Sequence, residues 1–166
     1  MYLLFLLFFI LIRSQGVKPE IKLSLTDEEW YFTNRSDDKS LRPITGKAIV
    51  PGDIYSDLRR LGVIDDPLYA DNDVKLQWVT RENWTYARTF TVDASVLQQR
   101  HQAIIFEGLD TVAKVFLNDQ PILKSNNQFI RYTVDVTGKL KEKGNVLKID
   151  FESPISYVER QAREYR

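Results

Sequence analysis

The chain has 166 residues, 23 lysines and arginines against 23 aspartates and glutamates, no cysteine and a single histidine. The length suits one domain with a real core, and the balanced charge gives no electrostatic case for nucleic acid or an anionic membrane as partner. Without cysteine there is no disulfide and no thiolate chemistry, and one histidine argues against multi-histidine metal sites.

Leu3 to Ile12 is an unbroken apolar run, stopped by Arg13 and followed by Ser14-Gln15-Gly16, a small-x-small pattern. The run is far shorter than the roughly 20 apolar residues of a membrane span. It predicts a cleavable secretory leader over residues 1–16, with one departure: no basic residue precedes the apolar run. Two sequons, Asn34-Arg35-Ser36 and Asn83-Trp84-Thr85, fit the same route and make Asn34 and Asn83 candidate glycan acceptors. The implied compartment is the secretory pathway, with no membrane attachment once the leader is gone.

Ile21, Leu23 and Leu25 alternate with polar neighbours, a half-buried strand pattern, and Trp30-Tyr31-Phe32 resumes an apolar strand. A polar loop over 34–42 leads to a short strand, Lys47 to Val50, ended by Pro51-Gly52. Asp53 is a good helix N-cap. Ile54, Leu58 and Leu61 fall on one helical face and Gly62 sits at the C-terminal glycine position, predicting a short helix over 53–61. Asp65-Asp66-Pro67 and Asp71-Asn72-Asp73 mark a loop over 63–74.

Trp84, Tyr86, Phe90 and Val92, with Arg88 among them, share one face of the next strand. Ala94 to Gln102 is a polar connector with about one helical turn. Ala103 to Asn118 holds two runs rich in β-branched and aromatic residues around Gly108-Leu109-Asp110. These predict adjacent strands at the centre of an antiparallel sheet, with Asn118-Asp119 as the next turn. Two more alternating segments follow, Ile130 to Val136 and Leu147 to Phe151. Ser153-Pro154 then suits an N-cap with proline at N1 of a terminal helix lined by Ile155, Val158 and Ala162. The fold class is all-β, a jelly-roll sandwich with those two helices. It divides as leader 1–16, sandwich 17–152, and a connecting segment from 153 to 166.

Chemistry is sparse. Asp71-Asn72-Asp73 lacks the glycine and glutamate spacing of a calcium loop, so a turn is favoured. Adjacent acids such as Asp65-Asp66 favour solvated charge over a catalytic pair. His101 lies in a polar stretch with no nucleophile motif, and there is neither a Gly-x-Ser-x-Gly nor a phosphate-binding loop. No metal or other cofactor is expected. Trp84, on a regular alternating face, favours core; Trp78, in a less regular segment, is a weak candidate for stacking on a sugar, with Tyr55 and Tyr69 nearby.

Four blocks carry a family resemblance: Val50-Pro51-Gly52-Asp53-Ile54-Tyr55-Ser56-Asp57-Leu58 with Gly62 to Tyr69; Asn72-Asp73, Trp78 and Glu82 to Tyr86; Phe106-Glu107-Gly108-Leu109-Asp110-Thr111 with Phe116-Leu117-Asn118; and Asn127, Arg131-Tyr132 and Asp135-Val136. Together they resemble the N-terminal sugar-binding-like domain of glycoside hydrolase family 2. The first two favour the lysosomal β-mannosidases, and the last two are shared with β-galactosidases and β-glucuronidases.

The resemblance implies a domain packed on a (β/α)8 barrel, which alone needs about 250 residues. It also implies a retaining exo-glycosidase whose two glutamates stand about 5–5.5 Å apart and lie outside this segment. A Trp-Asp-Trp motif that touches the sugar belongs downstream. No catalytic residue is therefore expected among these 166, and the segment alone should be inactive. Its implied partners are that barrel and, for the whole enzyme, a mannose-containing oligosaccharide. Asn83 is the better glycan site, since glycosylation there is familiar among related enzymes. The alternatives are a stand-alone carbohydrate-binding module, a non-catalytic interaction domain, or the same domain of a β-glucuronidase or β-galactosidase.

Overall fold

A computed structural model describes residues 10–13 (as backbone), 21–27, 29–35 and 43–165. In chain order the elements are β1 (Ile10–Arg13), β2 (Trp30–Asn34), β3 (Thr45–Ala48), α1 (Ile54–Arg60), α2 (Asn72–Lys75), α3 (Trp78–Arg81) and β4 (Trp84–Phe90). They continue as α4 (Ala94–Leu97), β5 (Ala103–Phe106), β6 (Ala113–Leu117), β7 (Gln120–Ser125), β8 (Tyr132–Asp135), β9 (Asn145–Phe151) and α5 (Pro154–Glu164). A six-stranded sheet runs β3-β2-β4-β9-β6-β7, and a three-stranded sheet runs β1-β5-β8. All their pairings are antiparallel. One apolar cluster joins both sheets, with Phe32, Tyr86, Leu147 and Ile149 from the larger and Ile104 and Phe106 from the smaller.

The alternation of β4 does what period two demands. Trp84, Tyr86 and Phe90 enter the core, and Tyr86 meets Phe151 of β9 edge to face, with ring centres 6.1 Å apart. Arg88 on the same face is buried too. Its guanidinium pairs with Asp27 and with Glu29 and donates to the Leu25 carbonyl at 3.0 Å. A buried charge needs such partners, so Arg88 clamps the 25–29 segment onto the sheet. Trp30 adds an indole N–H donated to the same carbonyl at 2.7 Å.

Both predicted helices form. Asp53 caps α1 by accepting from the Ser56 amide at 3.0 Å, and Gly62 takes a positive φ of 73° beyond its end. Ser153 caps α5, with Pro154 in the first turn. Asn118 and Asp119, at φ 52° and 66°, make the turn between β6 and β7.

Three expectations are corrected. β5 and β6 are not neighbours: β5 lies between β1 and β8, β6 lies between β9 and β7, and 107–112 carries the chain from one sheet to the other. Leu109, at 0% exposure, explains the route, because it fills the core between the sheets rather than turning at a surface corner. Ile21, Leu23 and Leu25 alternate in burial as expected but join no ladder, with only an isolated bridge at Ser24. The 63–74 loop ends in α2, and α3 follows directly. The leader over residues 1–16 lies mostly outside the described residues. Its Ile10–Arg13 portion forms β1, pairing Ile10 with Phe106 and Arg13 with Ala103. Among the described residues no helix is long and apolar enough to cross a membrane.

Candidate functional site

The helices α1, α3 and α5 gather at one shoulder of the sandwich and enclose two hollows. The larger, of about 500 Å³, is lined by Tyr55, Arg59, Asp66, Leu68 and Asp73, with Ile155 from α5. The smaller, of about 190 Å³, lies under Tyr157 and Val158 and reaches Trp84, Asp110 and Asn126. Tyr55 and Thr80 line both, so the two adjoin at the foot of α5. The larger has the volume of a small-molecule site.

Beneath it sits a polar network that periodicity did not single out. Ile54, Asp57 and Leu58 form the inward face of α1, and the Asp57 carboxylate has no exposed surface. It accepts from the Tyr86 hydroxyl at 3.0 Å, the Ile49 amide at 3.2 Å and the Arg60 guanidinium at 2.9 Å. Burial pushes the Asp57 carboxyl above its ordinary 3.8, against the lowering pull of those donors. Tyr86 is pushed well above 10.0, by burial first and by the neighbouring Asp57 charge second. The sequence signal was a carboxylate four residues after the Asp53 cap, at a position the helical period turns inward. The network locks α1 to β4 and the 49–50 bend; it exposes no atom to the hollow.

The carboxylates at the rim are mostly engaged. Asp53 holds Ser56, and Asp66 pairs with Arg59 at 2.9 Å. Around the smaller hollow, Glu152 pairs with Arg160, Glu82 accepts from Asn34, and Asp110 accepts from Thr111 and, with its amide turned to suit, from Gln128. A general acid and a nucleophile poised for glycoside cleavage require two carboxyls open to a sugar; these groups are spent on structure. Among the described residues no cluster of histidine, cysteine, aspartate and glutamate is placed to hold a metal. Asp71, just before α2, pairs with Lys75 at the end of that helix, and His101 is exposed.

Trp78, the weak sugar-stacking candidate, is half-buried on α3, its ring centre 6.4 Å from Trp84, and packs against the core. Of its neighbours, Tyr55 lines the larger hollow and Tyr69 stands in solvent. Trp84 is core, its indole N–H donated to Val79 at 2.9 Å. The two sequon asparagines lie close together, with Asn34 paired to Trp84 and the Arg35 amide donating to the Asn83 carbonyl at 2.8 Å. Asn34 is 9% exposed, with its amide nitrogen donated to Glu82 at 3.3 Å and its oxygen accepting from Ile44. Asn83 is half-buried and uses its oxygen to accept from the Ser153 amide at 2.8 Å.

A two-sheet antiparallel sandwich with short helices at one shoulder and a C-terminal helix is the architecture of galactose-binding-like domains. The family described as glycosyl hydrolase 2 galactose-binding domain-like matches residues 30–166, and the chain belongs to it. Its relatives within that family include β-mannosidases. The chain is 37% identical over 164 residues to a probable β-mannosidase of Caenorhabditis elegans, covering 98% of this chain and 17% of that protein. It is 33% identical over 165 residues to the β-mannosidase of Mus musculus, covering 18% of it. Among solved structures, a β-D-mannosidase of Dictyoglomus thermophilum superposes with a TM-score of 0.78 at 34% identity, over 85% of this chain and 17% of that one. A Bifidobacterium dentium β-glucuronidase shares the fold, with a TM-score of 0.57 at 20% identity. The chain thus spans about a sixth of the length of the β-mannosidases it matches.

Proposed function

We propose that the chain is the N-terminal domain of a β-mannosidase, a retaining exo-glycosidase that removes terminal β-linked mannose from N-glycan-derived oligosaccharides. In that enzyme this sandwich supports a (β/α)8 barrel, and the barrel carries the acid/base and nucleophilic glutamates. The protein enters the secretory pathway through the 1–16 leader and works in a lysosome-like compartment. Asn83 is its glycan acceptor, since the amide nitrogen of Asn34 is already committed to Glu82.

The observation that supports this reading most is the 34% identity and 0.78 TM-score to a β-D-mannosidase over 85% of the chain. The test is turnover of a chromogenic β-mannoside by the product of the gene's full transcript, with β-glucuronide and β-galactoside as competitors. Selective β-mannoside hydrolysis by the full product and none by residues 17–166 is expected; turnover by the latter alone overturns the reading. A second reading, a stand-alone carbohydrate-binding module, draws on the 500 Å³ hollow beside Tyr55. It requires mannoside binding by residues 17–166 in calorimetry.

A further inference from the structure

The outward face of the six-stranded sheet, away from both hollows, gathers cations. One row across its ladder runs Lys47, Tyr31, Ala87, Lys148 and Phe116, and the next runs Thr33, Thr85, Asp150, Lys114 and Lys124. These side chains point away from the core, since chain neighbours such as Trp30, Phe32, Tyr86, Val115 and Ile149 are buried. Arg35, just past β2, reaches the same face and pairs with Asp150 at 2.8 Å. Asp150 also accepts from the Thr85 hydroxyl at 2.7 Å, and it is the one carboxylate in the two rows. Lys47, Lys114 and Lys124 form no ion pair among the described residues. Lys114 stands directly opposite Lys124, a like-charge pair that costs a sheet stability. The whole chain balances 23 to 23, so this excess is local to one face. Between the cations the side chains are small. Ala87, Thr33 and Thr85 floor a shallow trough, with the Tyr31 ring, 54% exposed, beside it.

We propose that this face binds a linear sulfated polysaccharide lying across the strands from Lys47 to Lys124. Charge complementarity carries the proposal: unpaired ammonium groups on one face meet the sulfates, and the Tyr31 ring offers its flat side to a sugar. The span sets the shape of the ligand. Lys47 on β3 and Lys124 on β7 lie at opposite edges of the sheet, about 24 Å apart at the usual strand spacing. An extended polyanion bridges that distance and a single small anion does not. A lipid surface fits less well, because it calls for protruding apolar side chains among the cations. Here the floor is recessed, and the Phe116 ring lies under the Lys148 ammonium at 4.5 Å. The proposal is independent of the β-mannosidase reading, since it uses neither the hollows nor any catalytic group.

The test titrates heparin into the full-length protein by calorimetry at rising salt. One variant combines Lys47→Gln, Lys114→Gln and Lys124→Gln. The control combines Lys75→Gln, Arg100→Gln and Arg163→Gln, which removes the same charge from α2, the segment after α4 and α5. The wild type is expected to bind, more weakly as salt rises. The face variant should lose about tenfold in affinity, what three surface charge contacts supply together, and show a shallower salt dependence. The control should bind like the wild type. Tyr31→Ala should weaken binding and leave the salt dependence as it was, which a purely ionic contact does not predict. No heparin binding at about 0.15 M salt overturns the proposal, and so does an equal loss in the control. Tighter binding to vesicles of phosphatidylcholine and phosphatidylserine than to heparin overturns it as well, since the face then meets lipid. If the face variant fails to fold, lysine acetylation of the unmodified protein decides. Heparin that shields Lys47, Lys114 and Lys124 but not Lys75 supports the site, and uniform acetylation overturns it. β-Mannoside turnover is read separately: an inactive protein that still binds heparin through these lysines sinks the functional reading and leaves this one standing.

Discussion

The β4–β9 centre and the α5 shoulder are made of similar residues and meet opposite fates. At the centre, seven paired positions run from Trp84 opposite Phe151 to Phe90 opposite Asn145, and each apolar side chain on the inner face finds another. The polar groups carried inward there find partners, Tyr86 in Asp57 and the terminal nitrogens of Arg88 in Asp27, Glu29 and the Leu25 carbonyl, while the buried Arg88 Nε has none. At the shoulder, Leu68, Ile155 and Val158 are just as apolar and stand open. The difference teaches that amphipathic spacing reports which face is to be covered, but not whether the cover lies in the same stretch of chain.

The contrast is broken most severely at the centre. Trp30 is wholly buried, so Trp30→Ala removes its packing and the bond to Leu25 together. About 3–5 kcal/mol of stability should be lost in equilibrium denaturation. A loss under 1 kcal/mol is incompatible with a closed centre. Tyr86→Phe is smaller: it keeps the ring and deprives the buried Asp57 of one donor, and about 1–3 kcal/mol should disappear.

A pH titration sharpens the same point. The Asp57 carboxyl is raised above 3.8 in the folded state. Its contribution is therefore fully favourable below about 3.8, the unfolded value, and is lost as pH rises through the higher folded value. Asp57→Asn has no proton to lose there. The wild type should thus lose stability relative to the variant across that window, as read from denaturant midpoints from pH 3 to 7. A difference that stays flat, or runs the other way, rejects the assignment. The smallest effect belongs to the shoulder of the 166-residue chain taken alone. Val158→Ser should shift its stability by no more than about 0.5 kcal/mol while raising the concentration at which it begins to aggregate, measured by light scattering. The unmodified chain should be sparingly soluble; monodisperse behaviour at high concentration counts against an uncovered apolar face.

Local structure was largely legible in the residues. The Asp53 and Ser153 caps, the Gly62 stop, the Asn118-Asp119 turn and the alternations of β4 and β9 each follow from chemistry within a few positions, and each stands where it was expected. Pairing was less so. β5 and β6 follow one another in sequence and look alike in composition, yet β6 takes β9, some thirty residues on, as its partner. Nothing in a short apolar run states which distant run it will meet. The engaged carboxylates of the shoulder were equally hidden, because a partner such as Arg160 for Glu152 is set by the helix direction and not by spacing alone. Trp78 was ambiguous for a related reason. Its neighbourhood is irregular, and only Trp84 beside it decides that the ring is packed.

Ser153 does several jobs with one short side chain and its own amide. Its hydroxyl accepts from Ser156 and donates to Thr80, while its N–H goes to Asn83. Three anchors on a single residue leave the following turn almost no freedom of aim, so the heading of the last helix is inherited from the loop before β4. A sugar chain on the Asn83 nitrogen would leave the oxygen that holds Ser153 untouched. Decoration and steering can therefore share one asparagine without competing.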